Sequence, residues 1–192
     1  MKAYLQFRTY LFCLLLALPL GNAMAEDDYS TTIKVFQEAG ESGSFFNNSY
    51  GYAVFPTVGK GGVGIGGAYG KGRVYAGGAW KGDTSMSQLS VGFQFGGQAY
   101  SQIIFFEDQR AYDEFTSGNF EFSADASAVA ITAGASASAG STGSAAGASA
   151  GKKDATTVGA YHKGMATFTV AKGGLMYEAV LAGQKFSYKP RQ

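Results

Sequence analysis

Apolar residues recur along this chain with two periods, and the change from one to the other divides it. Tyr29, Ile33 and Phe36 stand at i, i+4 and i+7, which predicts a short helix with one apolar stripe, Asp28 or Ser30 as N-cap and Gly40 as its stop. A second short turn is expected from Ser44 to Ser49, carrying Phe45 and Phe46. From Tyr50 to Gln98 the period is two. Leu89, Val91, Phe93 and Phe95 alternate with Ser90, Gly92, Gln94 and Gly96, the pattern of a strand with one buried face, and Val63 and Ile65 alternate with glycine in the same way. Glycine interrupts Gly51 to Gly72 so often that a helix is excluded there, since each interior Gly costs a helix about 1 kcal/mol against Ala. The run reads as a strand, a turn at Pro56, then closely packed Gly-rich strands with turns at Lys71-Gly72 and Lys81-Gly82.

Beyond Gln98 the pattern predicts a short buried strand, Ile103 to Phe106, then a helix from Glu107 to Gly118 with Ala111, Tyr112 and Phe115 inward and Gly118 as C′ residue. Gly134 to Gly151 contains only Gly, Ala, Ser and Thr, side chains that build no core, so a flexible surface loop is expected at about 134–155. Strands are predicted at Thr156 to Tyr161, Ala166 to Val170, Leu175 to Leu181 and Lys185 to Tyr188, with turns at Lys163-Gly164, Lys172-Gly173-Gly174 and Gly183. The expected fold is α+β: a strongly twisted, mainly antiparallel sheet or partly closed barrel, with short helices at the N-terminus and mid-chain.

The first residues read as a targeting signal. Lys2 and Arg8 precede an apolar core, Leu11 to Leu20, and Ala23-Met24-Ala25 offers a small-x-small cleavage site after Ala25. The apolar run falls short of the ~20 residues of a membrane span and is broken by Pro19. The expected product is Glu26 to Gln192, a single exported domain, periplasmic or secreted. It holds no cysteine, since Cys13 lies in the signal, which removes disulfides, thiol catalysis and cysteine-ligated metal.

Charge is segregated. Glu26 to Glu41 has five acids against Lys34; Ser42 to Gly82 has Lys60, Lys71, Arg73 and Lys81 and no acid. Asp83 to Asp125 has seven acids against Arg110; Ala126 to Gln192 has seven basic residues against two acids. If the two basic blocks meet in the fold they form a cationic face on a nearly neutral protein, suited to an anionic surface such as a phospholipid membrane.

Catalytic patterns find little support. His162 is the only histidine, and no G-x-S-x-G elbow accompanies it. The acidic pairs Glu107-Asp108 and Asp113-Glu114 lack the spacing of a calcium loop. Gly62-x-Gly64-x-x-Gly67 matches a dinucleotide fingerprint only formally, because strand rather than helix is predicted after it. No enzyme activity, cofactor, metal or nucleic-acid partner is expected.

Several separated motifs, in order, resemble the SYLF family of lipid-binding domains. They are the G-x-A-x-F-P segment and its glycine-rich sequel (Gly51, Ala53, Phe55, Pro56, Lys60, Gly61, Gly66, Gly67, Gly70, Gly72), the G-x-Q-x-G-x-Q strand (Gly92, Gln94, Gly96, Gln98), an F-x-S-G element within Phe115 to Ala133, and an aromatic-x-K-G close (Tyr161, Lys163, Gly164). The resemblance covers Phe45 to Tyr188. It departs in the long plain loop at Gly134 to Gly151 and in the last Leu175 to Gly183 strand. It implies binding of anionic lipid and, in some fungal relatives, of actin, which is not expected in a bacterial periplasm. The reading that follows is a non-enzymatic lipid-binding protein of the bacterial cell envelope. Lys60, Lys71, Arg73, Lys81 and Lys163 would meet phosphate head groups, and the Tyr29, Ile33 and Phe36 stripe would dock or insert. The alternative is a periplasmic structural or protein-interaction factor without a lipid ligand, meeting an envelope protein partner by strand addition.

Overall fold

The computed structural model describes residues 21–92, 98–126, 128–131, 160–172 and 181–192. The signal core, the Gly134 to Gly151 loop, Gln94, Gly96 and the predicted strand at Leu175 lie outside these residues, as does most of the strand at Thr156.

The Tyr29, Ile33 and Phe36 stripe lies on α1, Gly21–Glu38. This helix begins earlier than the pattern predicts, so Asp28 and Ser30 sit inside it rather than capping it; Ala23 to Glu26 are helix formers that carry it upstream. Ala39 takes an extended conformation that ends α1, and Gly40, expected only as a stop, opens a one-turn helix, α2, Gly40–Gly43. The Ser42 hydroxyl donates to the Phe36 carbonyl at 2.6 Å and fastens this turn to α1. The predicted turn with Phe45 and Phe46 is α3, Phe45–Asn48.

Strands then follow: β1, Gly51–Ala76; β2, Ala79–Gly92; and β3, Gln98–Phe106. β1 doubles back on itself. Its first half pairs with β3 and its second half with β2, and Gly51 lies against Tyr75 and Ala76, Gly72 against Val54 and Phe55, Gly70 against Thr57 and Val58. The reversal falls between Gly62 and Gly66, which are in close approach. Pro56, expected as a turn, is a bulge instead. With no N–H to give the ladder it shifts the register between Phe55 and Val58 while the chain stays extended. Lys71-Gly72 and Lys81-Gly82, also expected as turns, are strand: Lys71 faces Ser85, Gly72 faces Thr84, and Gly82 sits between Val74 and Pro190. The β1–β2 turn is Gly77-Gly78, both with positive φ (58° and 74°) as a tight hairpin requires.

Helix α4, Gln109–Thr116, is capped by Asp108, whose carboxylate accepts from the Ala111 N–H at 2.8 Å; Ala111 and Phe115 are buried. Gly118 follows with φ 91°, as expected of C′. β4, Phe120–Glu121; β5, Val129–Ile131; β6, Met165–Lys172; and β7, Lys185–Pro190, complete the described elements. Lys163 and Gly164 (φ 53° and 83°) form the predicted turn into β6. The positive φ is what favours glycine at 164; the 2.5 Å approach of a Cβ there to the exposed Arg110 guanidinium can be relieved by movement of that side chain.

The sheet order is β4-β7-β2-β1-β3-β6-β5, antiparallel except for the β5–β6 pair. With the two halves of β1 counted separately it is an eight-strand half-barrel, the expected α+β architecture. Its inner face carries Phe55, Val58, Met86, Ile104, Phe106 and Phe186, closed by Phe115 of α4. Its outer face carries Val54, Ile103, Phe105 and Phe168, covered by Phe36 with Tyr29, Ile33, Phe45 and Phe46. The N-terminal helices therefore pack on the outer face, and Phe36 is fully buried.

Candidate functional site

The helices cover only part of the outer face. Alternation along the paired strands puts Ile65, Gly67, Tyr69, Lys71 and Arg73 of β1 on that face, beside Leu89, Ser87, Ser85 and Asp83 of β2 and Lys185, Ser187 and Lys189 of β7. The Ser85 and Ser187 hydroxyls meet at 2.7 Å across β2 and β7, and Lys185 Nζ lies 3.5 Å from the Glu121 carboxylate of β4, as side chains sharing one face must. The two basic blocks of the sequence thus converge. Lys71 and Arg73 from one, Lys185 and Lys189 from the other, flank β2 on a single face, with Asp83 and Glu121 as the acids among them; Lys71, Lys185 and Lys189 are exposed there, whereas Tyr29 of α1 lies over Arg73.

Leu89 and Ile65 break the expected pattern. Period two marked them as a buried side of the sheet, yet Leu89 is 86% and Ile65 74% exposed. The buried residues of these strands are the alternate set, Ala68, Thr84, Met86 and Gln88. Register decides this, because a one-residue shift exchanges the two faces of a strand.

The predicted basic residues separate into different settings. Lys71 and Lys81 are exposed. Arg73 lies between two rings, 4.3 Å from the Tyr29 centroid and 3.9 Å from that of Trp80, and Arg191 lies 4.3 Å over Trp80. That stack joins α1, the sheet and the C-terminal residues, so Arg73 holds the helix in place. Beside it, burial pushes the Tyr29 phenol up from its ordinary value, against the pull of the Arg73 charge. Lys60 pairs in register with Gln98 of β3, in the first half of β1 near its reversal. Lys163 is elsewhere, with Asp125. Lys185 and Lys189, which no motif marked, join the surface only through the β2–β7 register.

A second polar cluster lies at the turn into β6. Asp125 accepts from Ser123, from Lys163 Nζ at 3.1 Å, and is 3.0 Å from His162 Nε2. The Ser123 and Lys163 hydrogen bonds, with the backbone and His162, hold its carboxyl well below the usual carboxylate range. A cavity of about 210 Å³ lies beside it, lined by Phe120, Phe122, Met165, Thr167 and Leu181 with His162 and Lys163 at its edge. A triad needs a base that receives the serine proton; here the Ser123 hydroxyl and His162 both turn to the same carboxylate. The arrangement clamps residues 123–125 to the 162–163 turn.

Inside the half-barrel, Gln102 donates to the Gln184 carbonyl oxygen at 3.0 Å, and Gln184 reaches the Tyr100 hydroxyl at 3.4 Å. Both glutamines are fully buried. Among the described residues no group of three or more His, Cys, Asp or Glu stands in an arrangement suited to a metal ion, and no helix is long and apolar enough to cross a membrane.

One curled, mostly antiparallel sheet, helices packed on part of its outer face and an open mixed surface beside them define a β-rich α+β domain. The family described as "Ysc84: Las17-binding protein actin regulator" matches residues 87–189, more than half of the chain, and the chain belongs to that family, the SYLF family. The family is generally non-enzymatic. Beta cell expansion factor A of Aeromonas veronii is 26% identical over 176 residues, 86% of this chain and 54% of that protein. The chain spans about half the length of this curated relative.

Proposed function

We propose that this protein is a non-enzymatic lipid-binding protein of the bacterial cell envelope, exported by its N-terminal signal with cleavage after Ala25, and that it holds anionic phospholipid head groups on the outer face of β1, β2 and β7. The observation that carries the reading is the convergence of the exposed Lys71, Lys185 and Lys189 on one face of β1, β2 and β7. Near an anionic surface each such side chain contributes on the order of 1 kcal/mol. Lys81, exposed at the start of β2, adds charge, while Lys60 and Lys163, the latter paired with Asp125, stand apart from this face. With Phe36 buried and Tyr29 under Arg73, the α1 stripe contributes to binding only by detaching.

Flotation of the mature protein with vesicles tests this. Salt-sensitive binding to anionic vesicles, weak binding to neutral ones, and loss of binding in Lys71→Glu with Lys189→Glu are expected. Arg73 is left intact in that variant because its removal would unseat α1. Unchanged binding by the double variant would remove the electrostatic mechanism.

The alternative, a protein partner that adds a strand, has one observation in its favour: β4 covers β7 only at Lys185 and Phe186 among the described residues. That edge carries Lys189 and Pro190, residues that block strand addition, so the lipid reading is preferred.

A further inference from the structure

On the uncovered outer face, Ile65, Tyr69 and Leu89 are 74%, 54% and 86% exposed. In the β1–β2 ladder Gly67 faces Leu89 and Tyr69 faces Ser87, so Leu89 is the diagonal neighbour of both Tyr69 and Ile65. Three large apolar side chains thus form one continuous ridge across two strands. Leu89 stands highest for a local reason: its cross-strand partner is glycine and offers no side chain to pack against. Scattered single apolar residues on a surface are ordinary, but an adjacent set rimmed by polar groups marks an interaction surface. The rim here is polar and carries two lysines, of which Lys185 is paired with Glu121 at 3.5 Å. Lys71 follows Tyr69 on the same face of β1, and Lys185 stands across Ser87 from it.

We propose that this ridge is the part of the protein that enters a bilayer, Ile65, Tyr69 and Leu89 passing into the interfacial region of an anionic membrane while Lys71 and Lys185 stay at head-group level. The inference rests on the lipid-binding reading above and adds the residues that insert and the orientation of the sheet. Charge complementarity selects the occupant: an apolar ridge bordered by lysines matches the boundary between anionic head groups and acyl chains. A second copy of the chain would bring the same lysines face to face. Tyrosine at the margin suits that boundary, its ring apolar and its hydroxyl in contact with water.

The test uses the mature chain, vesicles of phosphatidylglycerol mixed with phosphatidylcholine, vesicles of phosphatidylcholine alone, and a salt series. Ile65→Thr with Leu89→Thr puts β-branched, strand-compatible side chains at both exposed positions and should leave the fold intact by circular dichroism. The wild type is expected to retain part of its binding at high salt, and the double variant to lose that part, weakening partition on the order of tenfold to a hundredfold. Leu89→Trp should shift its emission to the blue on anionic vesicles and be quenched by lipids brominated near the head group. Equal binding by the double variant with an unquenched Trp would overturn the ridge while leaving electrostatic binding in place. Absence of wild-type binding to every vesicle would overturn the lipid reading and the ridge with it. A wild-type dimer that becomes a monomer in Ile65→Thr with Leu89→Thr would assign the ridge to self-association instead.

Discussion

At the scale of single residues, the glycines of the doubled β1 strand are not equivalent. A Cβ at Gly72 would lie 2.6 Å from the Phe55 ring and 2.8 Å from the Val54 carbonyl, and that carbonyl belongs to the adjoining half of the same strand. Gly72→Ala must push the two halves apart and should cost about 1–3 kcal/mol. Gly61, in the same motif, has open space around its Cβ position, and Gly61→Ala should change stability by less than about 1 kcal/mol. Urea midpoints at constant m-value measure both. Equal losses would mean that backbone freedom, rather than the Phe55 contact, is what the motif preserves.

Among elements, α1 is tied to the sheet at two places, by the burial of Phe36 and by the stack of Tyr29 on Arg73 and Trp80. Lys172 adds an exposed ion pair with Asp28 at 3.8 Å, of little energetic weight. Phe36→Ala should therefore cost about 3–5 kcal/mol and expose the ring cluster of Tyr52, Phe105 and Phe168. Loss of near-ultraviolet ellipticity ahead of the sheet signal on heating is the expected result. A single unchanged transition with a loss under about 1 kcal/mol would show that α1 is dispensable to the sheet. The helix stripe itself was legible in the sequence, because period and spacing are local; that helix continues upstream of Asp28 was not, since nothing in the pattern marks a first turn where helix formers precede it.

Over the whole molecule, burial raises the phenols of Tyr52, Tyr100, Tyr112 and Tyr161 to about 12. For Tyr100 the Gln184 hydrogen bond works against that rise. A group whose folded value lies above its unfolded one favours the fold while it stays protonated in both states. That contribution is full below about pH 10 and is lost as pH rises from 10 toward 12. Phenolate absorbance should thus lag the ordinary tyrosine curve, then rise together with the loss of circular dichroism. Titration of all tyrosines near pH 10 with the fold intact would contradict the packing of these rings. The buried Gln102–Gln184 pair belongs to the same scale, since its residues are 82 apart and meet only once β3 and the chain leading into β7 are side by side.

Local order by itself determined much of this protein: the β-rich α+β class, the existence of a helix within Glu107 to Gly118 (though not its Asp108 cap), the turns at Lys163-Gly164 and Gly183, and the family motifs. Each depends on neighbours a few residues apart, where period, capping and turn chemistry act. Tertiary structure alone decided which face of a strand is buried and which separated segments share a surface. Pro56 became a bulge rather than a turn because β3 holds the chain extended on either side of it. Leu89 and Ile65 point outward because the β1–β2 register, which no alternation encodes, places Met86 and Ala68 inside. Lys71 and Lys189 stand on one face because β2 lies between their strands, a long-range pairing that burial of the whole sheet selects.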